Sequence, residues 1–267
     1  MNEIKIADYY SKEAERYNDL YKGDIISNFE QIQRQKLLLE LIKNVGTTKN
    51  LKILDIGCGW GRDVEILSTK NNEIYAVDIS EGMLRIAKSK KYDGKVHFFK
   101  SSAIDLPFEN KKFDLIYSSE VIEHIPNWKF LVKESKRCLK EGGVLILTTP
   151  NFNSPAGVLK KIINFSEKIT PLLKNKLFYN IEKPYDEWKT KKELKMVLED
   201  EGFEIVYIKT RMVSPTFLFY IFRKINGGRL NHPFLKTIFF IFDKYIENKF
   251  SKFGTDLGVY AKLNESS

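Results

Sequence analysis

The chain has 267 residues, 43% of them hydrophobic and 13% aromatic, enough to bury one substantial core, and a single domain with insertions is the expectation. Its net charge of +9, from 44 Lys and Arg against 35 Asp and Glu, favours phosphorylated, anionic-lipid or nucleic-acid partners, or simply gives a solvated lysine-rich surface. Two cysteines, no apolar run of roughly 18 residues and a polar start, "MNEIKIADYYSKEAERY", argue against a disulfide framework, a membrane span and a signal peptide, leaving a cytoplasmic protein, soluble or peripheral to the membrane.

Residues 8–45 have helical periodicity, with Ile32, Leu38, Leu39 and Ile42 near one face. The period then changes to short β-branched or aromatic runs, each ended by Gly, Asp, Ser or Pro: "LKILDI" (51–56), "NEIYAVDI" (72–79), "KVHFFKS" (95–101), "FDLIYSS" (113–119) and "VLILTTP" (144–150). Between them lie "RDVEILSTK", "EGMLRIAKSKK" and "WKFLVKESKRCLKEGG", amphipathic stretches of crossover-helix length, the last closed by a Gly-Gly stop. Strands alternating with helices predict an α/β fold, a mostly parallel sheet covered on both faces. After Pro150 the alternation lapses, with breaks at prolines 155, 171 and 184; it resumes with "TKKELKMVLEDEGF" and "FEIVYIKT", and a last strand, "TDLGVYAKL" (255–263), follows an aromatic and basic segment.

"LDIGCGWGRD" (54–63) sets Gly57, Gly59 and Gly61 between a strand and a helix, where bare backbone can approach a ligand. A dinucleotide fingerprint spaces its third glycine differently and holds pyrophosphate on the helix N-terminus. Here Asp55 precedes the turn and Asp63 follows it, carboxylates that repel a pyrophosphate and suit a ligand bearing positive charge. S-adenosylmethionine (SAM), with its ammonium, sulfonium and adenosine, is such a ligand. Together with "AVDISEGML" (76–84), "LPFENKKFDLIYSSEVIEHIP" (106–126) and "LKEGGVLILTTPN" (139–151), the turn makes residues 45–210 resemble the class I SAM-dependent methyltransferases, of the ubiquinone-biosynthesis O-methyltransferase type.

The resemblance implies a Rossmann-like, seven-stranded sheet and a set of cofactor contacts. Asp55 and the backbone of Gly57, Cys58, Gly59 and Gly61 would hold the methionine end, and Asp78 the two ribose hydroxyls. Ile79 and Met83 would pack on the adenine, and Ser118 would be a further cofactor contact. Relatives commonly have an Asp before "LPF" that receives the adenine amino group. This chain reads "SSAIDLPF", with Ser102 at that place, so adenine recognition would lean on Ser102, Ala103, Ile104 and Asp105.

"SSEVIEHIP" sets Glu120, Glu123 and His124 on one face of any helical turn. Two acids and an imidazole can hold a divalent metal such as Mg, and the pattern resembles the metal-dependent O-methyltransferases of ubiquinone biosynthesis and the small-RNA 2′-O-methyltransferases. Asp186 or Glu187 would then supply the fourth ligand. His124, with Glu123, is the candidate base for the acceptor; the alternative is that these two only support the cofactor loop. His97, in a strand pattern, reads as a core or edge residue.

The expected organisation is an N-terminal helical lid (1–45) carrying Tyr9, Tyr10, Tyr17 and Tyr21; a methyltransferase core (46–210 and 254–267) with an insert at 151–190; and an aromatic, basic helical insertion (211–253) that caps the substrate or touches an anionic membrane surface. The expected activity is SAM-dependent methyl transfer, releasing S-adenosylhomocysteine (SAH), to an oxygen of a lipophilic small molecule of quinol or lipid type. A surface glycan or glycolipid is the nearest rival acceptor, and RNA or a non-catalytic SAM-binding role rank behind it.

Overall fold

A computed structural model of the protein describes residues 3–154 except 24, 44, 46–48 and 70, together with 157–158, 185–211, 254 and 256–264. Seven strands form one sheet: β1 (Lys52–Ile56), β2 (Glu73–Asp78), β3 (Lys95–Lys100), β4 (Phe113–Ser119), β5 (Leu139–Pro150), β6 (Phe203–Arg211) and β7 (Asp256–Leu263). Their order is β3-β2-β1-β4-β5-β7-β6, with β7 antiparallel to both its neighbours and the other pairs parallel. The expected α/β class is the one observed. Chain order reverses direction between β1 and β4, and in an open α/β sheet that switch opens a crevice at the strands' carboxyl ends.

Alternate side chains of the central strands feed two cores. Ile53, Leu115, Tyr117, Val144 and Ile146 face one side, where they meet Leu37, Leu38 and Leu41 of α2 (Ile25–Lys43), Val64 and Leu67 of α3 (Val64–Leu67), and Leu84 of α4 (Glu81–Lys88). Leu54, Ile56, Ile116, Leu145 and Leu147 face the other, against Leu131 and Val132 of α5 (Lys129–Cys138) and Leu194, Val197 and Leu198 of α6 (Lys191–Asp200). Strands covered on both faces read as unbroken apolar runs, each buried leucine contributing roughly 1.5–3 kcal/mol. Thr190 starts α6 with a reciprocal capping box to Glu193.

Three expectations shift. The buried face of α2 is Leu37, Leu38 and Leu41, while Leu39 is exposed, because the helix docks on β7 through Gly258. The glycine pair at 142–143 does not stop a helix: α5 ends at Cys138, and β5 begins at Leu139, which pairs with Phe113 before the register shifts. The helix after the glycine turn is a single turn, Val64–Leu67. Both cysteines are free and buried, and His97 lies on edge strand β3 beside Glu73 at 3.1 Å. Among the described residues no helix is long and apolar enough to cross a membrane.

The first helix, α1 (Glu3–Gly23), crosses α4 at Gly82, where an added Cβ would lie 2.4 Å from the Ser11 carbonyl oxygen. The Gly82 amide donates to Ser11 Oγ at 3.3 Å, which also shares a hydrogen bond with Ser80 Oγ at 3.0 Å. Tyr10, Tyr17 and Trp60 pack around Ala14, Met83 and Ile86 at the same crossing. A larger residue at 82 must therefore push α1 away. We expect Gly82→Leu to speed tryptic cleavage after Lys5, Lys12 and Arg16 by about tenfold while the sheet still melts cooperatively; unchanged cleavage would contradict this docking.

Candidate functional site

The glycine turn is tied to the end of β2. The amides of Gly57 and Cys58 both donate to the Val77 carbonyl, at 2.8 and 2.9 Å, and the Gly59 amide donates to Asp78 Oδ2 at 2.8 Å. Following those bonds requires left-handed backbone at Gly57 (φ 74°) and Gly59 (φ 55°). A Cβ on Gly57 would strike Val121 at 2.3 Å, whereas one on Gly59 would meet nothing within 4 Å. Gly59 thus presents bare backbone to open space, the cradle a ligand would fill.

Two acids flank that backbone. Asp55, at the end of β1, is 2% exposed, and its Oδ2 has no hydrogen-bond partner among the described residues. Burial above all, then the Asp63 charge, hold the Asp55 carboxyl well above the usual range; Arg62 opposes this and Asp78 adds to it. Asp78 is also pushed up by burial, opposed by amide donors from Ser80, Gly59 and Ile79. Its Oδ1 accepts the Ser80 amide and its Oδ2 the Gly59 amide, each at 2.8 Å. The expectation for Asp63 needs correction. Arg62 grips it bidentately at 2.8 and 2.7 Å and the Tyr117 hydroxyl donates to it at 2.9 Å, so its charge is already compensated. Asp55 and Asp78, on neighbouring strands, form no salt bridge among the described residues.

These groups open into a cavity of about 610 Å³ at the carboxyl ends of the strands. Asp55, Gly57, Cys58, Gly59, Asp78, Ile79, Met83, Ala103 and Ile104 line it, as do Glu120, Glu123, His124 and Asp186. Gly61, Ser102 and Ser118 do not. A Cβ on Gly61 would lie 2.2 Å from the Tyr92 hydroxyl, so that glycine answers packing. The Ser102 hydroxyl donates to Glu3 Oε1 at 2.6 Å and accepts from the Ile104 amide at 3.2 Å. Ser118 is buried inside β4. A buried carboxylate with an unpartnered oxygen, the acceptor Asp78 and an open glycine backbone fit the ammonium, ribose and methionine portions of SAM.

The metal expectation is corrected. Glu120, Glu123 and His124 sit on the bend into the 3-10 turn Ile122–His124, and each is engaged by another group of the protein. Glu120 pairs with Arg34 at 3.0 Å; the Thr149 hydroxyl donates to Glu123 Oε2 at 3.2 Å; His124 Nδ1 lies 3.1 Å from the Tyr185 carbonyl oxygen. Glu187, the other suggested ligand, is held by Lys189 at 2.7 Å. Among the described residues no three His, Cys, Asp or Glu side chains converge as a metal site. A 3-10 turn spreads side chains that an α-helical turn would stack, and the left-handed Glu120 (φ 57°) turns its side chain toward Arg34.

Sequence reasoning missed Arg34, Glu3 and Trp188 on the cavity wall. Arg34 and Glu3 come from the N-terminal helices, whose residues carry no motif, and only the topology brings them to the strand ends. The insertion at 211–253 lies outside the described residues apart from Arg211, which ends β6, and most of the insert at 151–190 lies outside them too.

Comparison with known proteins gives the same picture. Residues 54–147 match the family model described as "Methyltransferase domain". The chain is 30% identical over 203 residues to demethylmenaquinone methyltransferase of Staphylococcus aureus, covering 71% of this chain and 83% of that one. It is 32% identical over 162 residues to ubiquinone biosynthesis O-methyltransferase of Pelagibacter ubique, covering 57% and 67%. Magnesium protoporphyrin IX methyltransferase from Synechocystis, solved with bound SAH, shares the fold with a TM-score of 0.64 at 16% identity, covering 98% of this chain and 100% of that one.

Folded Asp55 holds its proton more tightly than unfolded Asp55, so the stability it contributes is whole below the ordinary carboxylate range and is lost as pH rises through the raised folded value. Above the ordinary carboxylate range, ionising Asp55 in the ligand-free site therefore costs stability. We expect Asp55→Asn to raise the Tm of the ligand-free protein by a few degrees while weakening SAM binding by about 10- to 100-fold. Calorimetric melting and titration test both. A fall in Tm with SAM affinity intact would contradict the assigned strain.

Proposed function

The chain belongs to the class I SAM-dependent methyltransferases, and from that premise we propose that it methylates an oxygen of a lipophilic small molecule of quinol or lipid type. The observation that carries this reading is the seating of His124 on the cavity wall, among Tyr10, Tyr17, Ile125, Pro126 and Trp188. Two of its relatives are named for quinone pathways. Aromatic and aliphatic walls with few, well-placed polar groups suit a ring-bearing apolar acceptor.

When bound, SAM supplies an electrophilic methyl group on a sulfonium and leaves as the neutral thioether SAH. The Asp55 carboxylate and the Gly59 backbone, both on the cavity wall, would hold its amino-acid end. The Tyr185 carbonyl, 3.1 Å from Nδ1, fixes the His124 proton on that nitrogen and leaves the acceptor lone pair on Nε2. His124 Nε2 would take the proton from the acceptor's hydroxyl, leaving its oxygen ready for methylation. Glu123 Oε1, 3.6 Å from Nε2, stabilises the resulting imidazolium. The Tyr10 ring lies 5.5 Å from the imidazole, and its buried hydroxyl has no hydrogen-bond partner among the described residues. Burial above all, then Tyr17 and the charges of Glu123 and Asp186, keep that hydroxyl protonated far above neutral pH, so Tyr10 serves as a donor to the acceptor's second oxygen.

The aromatic and basic composition of 211–253 supports a role in gathering a lipophilic acceptor at an anionic membrane surface.

Incubating the protein with methyl-labelled SAM and separate lipid, saccharide and RNA extracts tests the acceptor class. The label is expected in the solvent-extractable lipid fraction; labelled saccharide or RNA alone would overturn the reading. His124→Ala is expected to lower turnover on a quinol acceptor by about 10²- to 10⁴-fold while changing SAH affinity by less than about twofold. A comparable loss of SAH affinity would make His124 a support of the cofactor loop and not the base.

A further inference from the structure

The amino group of the cofactor's adenine needs an acceptor, and the core offers no acid for it. Three neighbouring parallel strands end side by side in the order β1, β2, β3, and their ends deliver the cavity wall in the same order: Asp55, then Asp78, then Ser101, Ala103 and Ile104. A nucleoside whose amino-acid end meets Asp55 and whose ribose meets Asp78 places its base against Ala103 and Ile104. At that end neither Ser102 nor Asp105 lines the cavity, and the Ser102 hydroxyl donates to Glu3. The carboxylate that does line the cavity there is Glu3, from the first turn of α1.

We propose that Glu3 receives the adenine amino group, a base-recognition role carried by the N-terminal helix instead of the core; the proposal rests on the SAM reading above. Three features prepare Glu3 for it. The Ser102 hydroxyl donates to Oε1 at 2.6 Å and so orients the carboxylate while leaving Oε2 to accept. The position in the first turn of a 21-residue helix favours negative charge. The close crossing at Gly82 fixes α1 over the cavity, so the carboxylate is held in place by packing that begins two turns away. Serine in place of an acid at 102 then makes sense: a second carboxylate there would repel Glu3, whereas a hydroxyl donates to it. One consequence is linkage. A ligand that bonds Glu3 also pins α1 to the core, so the base holds the lid and the lid reads the base.

The test is calorimetric titration of the full chain with SAH and with S-inosyl-L-homocysteine, which carries an oxygen where adenine has its amino group. The wild-type protein is expected to prefer SAH by about tenfold or more, since the carboxylate repels that oxygen. Glu3→Gln, whose amide can donate as well as accept, is expected to bring the two ligands within about threefold. Glu3→Ala is expected to weaken SAH while leaving the inosyl ligand unchanged or tighter. Undiminished preference for SAH in Glu3→Gln would overturn the assignment of Glu3 alone. Absence of SAH binding by the wild-type protein would overturn the assignment together with the SAM reading beneath it.

Discussion

The site depends on the register of β1 between β2 and β4. Asp55 pairs with Ala76 and Ile56 with Val77, so the two strands end together and Asp55 and Asp78 emerge at adjacent points of one sheet edge. The same register puts the Val77 carbonyl where both turn amides reach it and Asp78 where it accepts the Gly59 amide. A slip of one residue would exchange the faces of β1, turning Asp55 toward the α5 and α6 side and Leu54 toward the turn. Apolar packing on both faces of β1 and β4 opposes that slip, so the core that stabilises the sheet also sets the geometry of the site.

Electrostatics then decides what the site accepts. A buried carboxylate without a compensating charge is unfavourable, and Asp55 is near-fully buried with Asp78 beside it and Asp63 already satisfied by Arg62. A cation relieves this strain; a pyrophosphate adds to it. Bare backbone at Gly59 makes room for whichever ligand the charges favour. The sequence pattern of glycines suggests a nucleotide in general, and the acids narrow it to one with a positively charged tail. In the proposed reaction His124 serves the acceptor side, its hydrogen bond to a backbone carbonyl leaving the other ring nitrogen to take a proton.

The sheet was legible in the sequence because its strands are buried on both faces and interrupted by turn residues, which leaves short apolar runs that no helix of this length would produce. β4 was read to its observed ends, and β1, β2 and β3 to within a residue at each end. The beginning of β5 was missed because Leu139 to Gly143 have no strand-forming composition; pairing with Phe113 makes them a strand. On the site, the turn and Asp78 were legible as local motifs. The partners that neutralise Asp63 and Glu120 were not. Arg62 is next to Asp63 in sequence, yet nothing in the sequence says the two side chains meet, and Arg34 reaches Glu120 only because α2 packs along the sheet beside β7. The metal reading failed for a related reason: it assumed an α-helical turn at 120–124, and the chain adopts a left-handed residue and a 3-10 turn there.

The small contact between Gly82 and Ser11 sets α1 on α4 and carries Glu3, Tyr10 and Tyr17 to the cavity. The central claim is that two uncompensated acids beside exposed backbone select a cationic sulfonium nucleoside over a phosphate-bearing one. Titrating the purified protein with SAM and with ADP under identical conditions tests it most directly. Saturable SAM binding with no detectable heat from ADP is the predicted result, and ADP binding as tightly as SAM would contradict it.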